Sequence, residues 1–192
     1  MIQVLKSYLS VQTGLDELSI DYIIASAQLV KLGKNDFLLR EGQVSRHKAF
    51  IAQGMLRTFS AATDGSEHIL QFSPENTWTL DVESYDKQLP SAYNICAVEP
   101  SEVWLWNKAD FTSLLKELPA LKAFSERIIS NNIYASRQRL LSALSATPEE
   151  KYQNFVDTNP GLLPRIPLWM LASYLGISLK TLTRLRHAQL QR

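Results

Sequence analysis

Cysteine occurs once, as Cys96, in 192 residues. One cysteine excludes an intramolecular disulfide and any cysteine-rich zinc or iron–sulfur site supplied by a single chain; the composition suits a reducing cytoplasm. Histidine is also scarce: His47, His68 and His187, with no His-x-His pair. A metal-dependent enzyme built on a β-barrel needs clustered histidine and glutamate ligands, so no metal, cofactor or catalytic residue is expected. A glycine-rich phosphate loop and a nucleophile elbow are both missing. No run approaches the roughly 20 apolar residues of a membrane span, and the N-terminus, with Asp16 and Glu17, does not read as a signal peptide. Acidic residues are absent from 165 to 192, where Arg165, Lys180, Arg184, Arg186 and Arg192 stand. The remainder holds 15 basic against 19 acidic residues. A mildly acidic body with a basic end piece points to contact with a polyanion.

What is present reads as a globular α+β protein. Hydrophobic residues make up 45% and charged residues 20%, enough to bury a core without staples. Leu15, Leu18, Tyr22, Ile23, Ala25 and Leu29 approximate helical spacing and predict a helix over 15–30. Gly33, Gly42, Gly54 and Gly65 then recur about ten residues apart. Short apolar runs lie between them, and residues 94–106 continue as two strands around Glu99-Pro100-Ser101, predicting a β-sandwich or small barrel. A helix resumes at Lys108. A long helix follows over about 120–146 with two apolar stripes. Leu121, Phe124, Ile128 and Ala135 form one; Ile129, Ile133, Leu140 and Leu144 form the other. A surface helix needs only one stripe, so the second is expected to meet another subunit. Thr147-Pro148-Glu149-Glu150 reads as a capped helix start with acids in the first turn.

Residues 166–187 carry the most information. They read as a helix from Pro167, a turn at Gly176 and a second helix capped by Ser178. Ala172 is small where two helices must cross, and Leu171, Leu175, Ile177, Leu182 and Leu185 supply a core. The outward residues of the second helix, Lys180, Thr181, Thr183, Arg184 and His187, are polar and none is acidic. That surface suits a helix in the major groove of duplex DNA.

Taken together, the chain resembles the Crp/Fnr family of bacterial regulators, chiefly in residues 31–42 and 166–186; the latter stretch looks closest to members from the Bacteroidetes branch. The resemblance implies a fold of three parts. Residues 1–118 would form a cyclic nucleotide-binding-like, cupin-like double-stranded β-helix (a jelly-roll-like sensor). Residues 119–146 would form a dimerisation helix, and 147–192 an all-α helix-turn-helix DNA-binding domain. It implies a homodimer, double-stranded DNA, a small effector and RNA polymerase as partners, and no membrane. Ser178, Lys180, Thr181, Thr183, Arg184, Arg186 and His187 are the expected DNA contacts, and Ile129, Ile133, Leu140 and Leu144 the dimer seam. Trp78, Asp81, Glu83, Ser91, Tyr93 and Asn132 are the expected effector pocket.

Two departures from the family's pattern bear on the effector and on DNA binding. The family's phosphate-gripping arginine is replaced by Pro90, and Asp81 and Glu83 stand nearby, so cyclic AMP is not expected to bind. The family's wing after the recognition helix reads as short or absent. That favours, as an alternative, a cyclic-nucleotide or other small-ligand sensor with weak or no DNA binding.

Overall fold

The computed structural model describes the backbone of residues 2–190 and the side chains of residues 2–188. The chain forms two compact units: Met1–Ala61 with Leu70–Ile129, and Ala62–Ile69 with Ser130–Arg192.

The first unit is a β-roll with helices on one face. It begins with α1 (Ile2–Thr13) and α2 (Glu17–Ala25). One sheet has the order β1 (Gln28–Leu32), β8 (Ser101–Asn107), β3 (His47–Gln53), β6 (Thr77–Thr79). The other has the order β2 (Phe37–Leu39), β7 (Asn94–Ala97), β4 (Leu56–Ala61), β5 (Glu67–Ser73). Strands β3 and β8 pair antiparallel, with Ala49, Phe50 and Ile51 opposite Leu105, Trp104 and Val103. Side chains alternate in direction along a strand, and here both directions are buried. Ala49, Ile51, Val103 and Leu105 pack with Leu32, Leu39, Leu56, Ile95 and Ala97 inside the roll. Phe50, Ala52, Trp104 and Trp106 face the helices instead, meeting Leu5, Leu9, Ile20, Ile23 and Ile24. Phe111 and Leu114 of α4 (Lys108–Glu117) and Leu121 and Phe124 of α5 (Pro119–Ser145) complete that layer. Trp106 anchors it by donating its indole N–H to the Ile23 carbonyl at 2.8 Å.

Glycine is required at the β3–β4 turn. Gly54 has φ +86°, and a Cβ there would overlap the Pro100 carbonyl oxygen and Ser101. The β3–β4 turn thus abuts the β7–β8 turn, where Met55 N–H donates to Ser101 Oγ at 3.1 Å.

Two local expectations need correction. The helix predicted over 15–30 is α2, and it ends at Ala25; Leu29 belongs to β1. Its buried face is Ile20, Ile23 and Ile24, while Leu18 and Tyr22 point outward. An apolar run can satisfy two helical phases, and the packing of α2 selects the isoleucines. Helix α1, not anticipated, buries only Leu5 and Leu9, too sparse a stripe to stand out.

Helix α5 matches its expected length and has two faces. Leu121 and Phe124 are buried, whereas Ile129, Ile133, Leu140 and Leu144 are 50%, 47%, 60% and 78% exposed. The division between units falls within this helix and within β5. The second unit adds α6 (Pro148–Thr158), α7 (Leu168–Leu175) and α8 (Leu179–Leu190), packed through Tyr152, Phe155, Ile166, Met170, Leu171, Leu175, Leu182 and Leu185.

Candidate nucleic-acid interface and effector cavity

The turn between α7 and α8 is set by local chemistry. Gly176 takes the left-handed conformation (φ 65°, ψ 36°). Its N–H donates to Ser173 O at 3.1 Å, and Ile177 N–H donates to Ala172 O at 3.1 Å. These two bonds form the Schellman arrangement that ends a helix sharply and satisfies its last carbonyls. Ala172 is buried beneath the turn. Helix α8 then starts at once, because Ser178 Oγ accepts from Thr181 N–H at 3.0 Å, the bond expected of an N-cap.

Helix α8 buries Leu182 and Leu185 and leaves Ser178, Lys180, Arg184, Arg186 and His187 exposed, with Thr181 and Thr183 half-buried. The seven expected DNA contacts therefore run from the N-cap of α8 through its third turn, five of them exposed and two half-buried. Their hydroxyls are partly engaged: Thr183 Oγ1 donates to Leu179 O at 2.9 Å, and Thr181 Oγ1 lies 2.9 Å from Ser178 Oγ. Arg192 lies outside the described residues.

One acid intrudes on this basic face. Glu149 Oε1 meets Arg184 Nη2 at 3.2 Å, with both side chains mostly exposed. Its position follows from the start of α6. There Thr147 Oγ1 accepts from Glu150 N–H at 3.3 Å, and Glu150 Oε2 accepts from Thr147 N–H at 2.8 Å. That reciprocal capping box lowers the Glu150 carboxyl pKa below its ordinary value, chiefly through the Thr147 backbone bond, and leaves Glu149 facing α8.

A second network ties α7 to the start of β5. Ser173 Oγ accepts from Ile69 N–H at 3.0 Å and donates to Glu67 O. Arg139 of α5 donates from Nη2 to Ile69 O at 2.9 Å and to Tyr174 O at 3.1 Å. Its guanidinium stacks 4.0 Å from the centre of the Tyr174 ring. Burial lowers the Arg139 pKa from its ordinary value. Sequence reasoning found neither residue, because the partners are 35 to 106 positions apart.

The β-roll contains a cavity of about 590 Å³. Its walls are mainly aliphatic, including Val30, Leu32, Leu39, Ile95 and Leu105, and its polar lining is Gln43, Ser45, Arg46, His47 and Thr79. The six expected pocket residues are not among those that line it. Trp78 is buried on the helix side, with ring centres 5.1 Å from Trp106 and 5.3 Å from Phe50. Asp81 caps α3 (Val82–Lys87) and accepts from Ser91 Oγ at 2.6 Å. Glu83 pairs with Lys87 at 2.8 Å. Tyr93 N–H donates to Ser91 Oγ at 3.0 Å, and Asn132 is exposed on α5. Pro90 bridges Val44. The acids thus hold the α3 loop in shape, and the aromatics fill the layer beneath the helices.

His47 opens β3 and His68 lies in β5. Among the described residues no three histidine, cysteine, aspartate or glutamate side chains stand close enough to hold a metal ion, and no helix is long and apolar enough to cross a membrane.

Residues 29–117 match the family described as the cyclic nucleotide-binding domain. No curated protein matches the chain. Among solved structures, the catabolite activator protein of Thermus thermophilus is 21% identical, with 93% of this chain and 85% of that chain covered and a TM-score of 0.58. The c-di-GMP-responsive global regulator CLP of Xanthomonas campestris is 11% identical, covers 92% and 93%, and has a TM-score of 0.75. A protein from Eubacterium rectale described as a Crp/Fnr-family transcriptional regulator is 14% identical, covers 96% and 88%, and has a TM-score of 0.71. The chain thus combines a β-roll, in which residues 29–117 are similar to the cyclic nucleotide-binding domain family, with a long helix and a helix-turn-helix. The chain has the fold of the Crp/Fnr-type transcription regulators.

Proposed function

We propose that this chain is a DNA-binding transcription regulator of the Crp/Fnr type, not an enzyme, acting in the cytoplasm as a homodimer. The observation that carries the reading is the α8 surface: a sharply turned, serine-capped second helix that exposes Lys180, Arg184, Arg186 and His187 and has no acid of its own. Such a helix fits the major groove. Arg184 would grip O6 and N7 of a guanine, Lys180 and Thr181 would reach base edges or phosphate, and Arg186 would reach phosphate. The exposed Ile129, Ile133, Leu140 and Leu144 stripe is the dimer seam. A helix of 27 residues at 1.5 Å each spans about 40 Å. A dimer along it can present two recognition helices roughly 34 Å apart, one turn of duplex. The operator is then a near-palindrome with half-sites about 10 base pairs apart, and RNA polymerase is the downstream partner. The roll serves as sensor for a small effector other than cyclic AMP.

The test is competition binding over randomised half-sites at fixed salt. Arg184→Ala should lose about 1–3 kcal/mol at the preferred site and relax selection at one base pair. An unchanged preference and affinity would remove α8 from the recognition role. The ion pair from Glu149 to Arg184 favours a second reading, a ligand sensor with weak DNA binding, and the same assay identifies it by equal, weak affinity for all sequences.

A further inference from the structure

The roll cavity has a chemistry of its own. Ten of its fifteen lining residues are apolar, and its volume falls within the range of about 300–1,000 Å³ usual for small-molecule sites. Four of its five polar lining residues, Gln43, Ser45, Arg46 and His47, are consecutive in the chain but for Val44, in the stretch that leads into β3. No acid lines it, and Arg46 and His47 are exposed. A ligand entering there meets the Arg46 guanidinium and the His47 imidazole and then aliphatic walls.

We infer that the cavity binds an aliphatic monocarboxylate, with its chain among Val30, Leu32, Ile95 and Leu105 and its carboxylate at Arg46 and His47. This rests on the reading of the roll as a sensor and specifies the ligand class. A cyclic nucleotide fits poorly. Its base and ribose carry polar atoms that the aliphatic wall leaves unpaired, which disfavours burial. The α3 loop is also occupied by the Asp81 carboxylate bonded to Ser91, so a phosphate there would meet a like charge. A carboxylate with a saturated tail asks only for one charged donor group and apolar wall, and the cavity supplies both.

Calorimetry on the full chain tests this with hexanoate, octanoate, decanoate, octanol and cyclic AMP. Affinity should rise about fourfold for each added methylene that is buried, and octanoate should bind at least tenfold more tightly than octanol. Arg46→Gln, at an exposed position, should bring octanoate and octanol within about threefold of each other. Ala49→Leu, which takes up cavity space, should weaken decanoate at least tenfold. If that variant does not fold by circular dichroism, the octanoate-to-octanol ratio in Arg46→Gln decides alone. Absence of decanoate binding, an unchanged ratio in Arg46→Gln, or tighter binding of cyclic AMP than of octanoate overturns the inference. Ligand-free DNA binding is measured in parallel. Its persistence when carboxylates fail leaves the regulator reading intact, and its loss while carboxylates bind rejects that reading alone.

Discussion

Glu149→Gln should strengthen DNA binding, the reverse of what most substitutions beside a binding surface do. Glu149 holds the guanidinium assigned to guanine at 3.2 Å, with side chains 55% and 70% exposed. An exposed ion pair of this kind is worth about 0.2–1 kcal/mol, and it must break before Arg184 can present its fork to a base. The carboxylate would also stand within a Debye length, about 8 Å at physiological salt, of any phosphate beside that base. Removing it should improve affinity by about 0.5–1 kcal/mol per half-site, roughly two- to fivefold, and the factors multiply over two half-sites. The same substitution should lower thermal stability slightly, because an acid in the first turn of α6 is worth about 0.3–1 kcal/mol to that helix. The assay is fluorescence anisotropy with a selected operator at several salt concentrations, paired with a thermal melt. A double-mutant cycle with Arg184→Ala isolates the pair, since Glu149→Gln should gain less when the arginine is already gone. Unchanged or weaker binding by Glu149→Gln, at low and physiological salt alike, would refute the reasoning.

Three further outcomes are expected. Ile133→Asp should convert the dimer to monomer in light scattering, because an unpaired carboxylate buried at the seam costs several kcal/mol; an unchanged mass would exclude this stripe from the interface. Arg139→Met should lower stability to urea by about 2–3 kcal/mol, since two carbonyls lose charge-assisted donors at 2.9 and 3.1 Å, and should speed amide exchange at Ile69; a loss under 0.5 kcal/mol would show the network to be incidental. Lys48 donates to Ser125 Oγ at 2.9 Å, and burial brings its pKa from 10.5 down to about 8. Between those values the unfolded chain binds more protons, so stability should rise with pH by up to about 3 kcal/mol. Burial raises the Tyr85 hydroxyl to about 12 and works against that rise above pH 10. Lys48→Met should flatten the rise between pH 8 and 10, measured by urea unfolding.

The parts of the fold that were legible are those fixed by near neighbours. The α7–α8 turn needs only Gly176 to adopt a left-handed backbone and Ser178 to cap the next helix, and both act within three residues. The strands could be read from short apolar runs between regularly spaced glycine turns such as Gly54. The face of α2 was misread, because which of two helical phases is buried depends on the β-sheet beneath it. The cavity was missed for the same reason: Val30, Ile95 and Leu105 meet only after β1 pairs with β8 and the sheet that holds β7 packs against theirs. Trp78 was expected in an effector pocket, whereas with Trp104 and Trp106 it fills the layer under the helices. In the candidate interface the α8 residues were visible as a polar stripe, but Glu149, 35 residues from Arg184, carries no local sign of that contact.

Strand β5 connects these observations. It is the end strand of its sheet, where unpaired backbone groups invite association with other chains. At Glu67 and Ile69 that edge is closed by side chains rather than by another strand: Ser173 takes the Ile69 N–H and the Glu67 carbonyl, and Arg139 takes the Ile69 carbonyl. Ser173 performs a second task with its own backbone. Its carbonyl accepts from Gly176 N–H at 3.1 Å, one of the two bonds that end α7 and aim α8. The next residues of β5, from Leu70 onward, belong to the first unit. Within the second unit, Ser173 thus joins the start of β5 to the turn that ends α7.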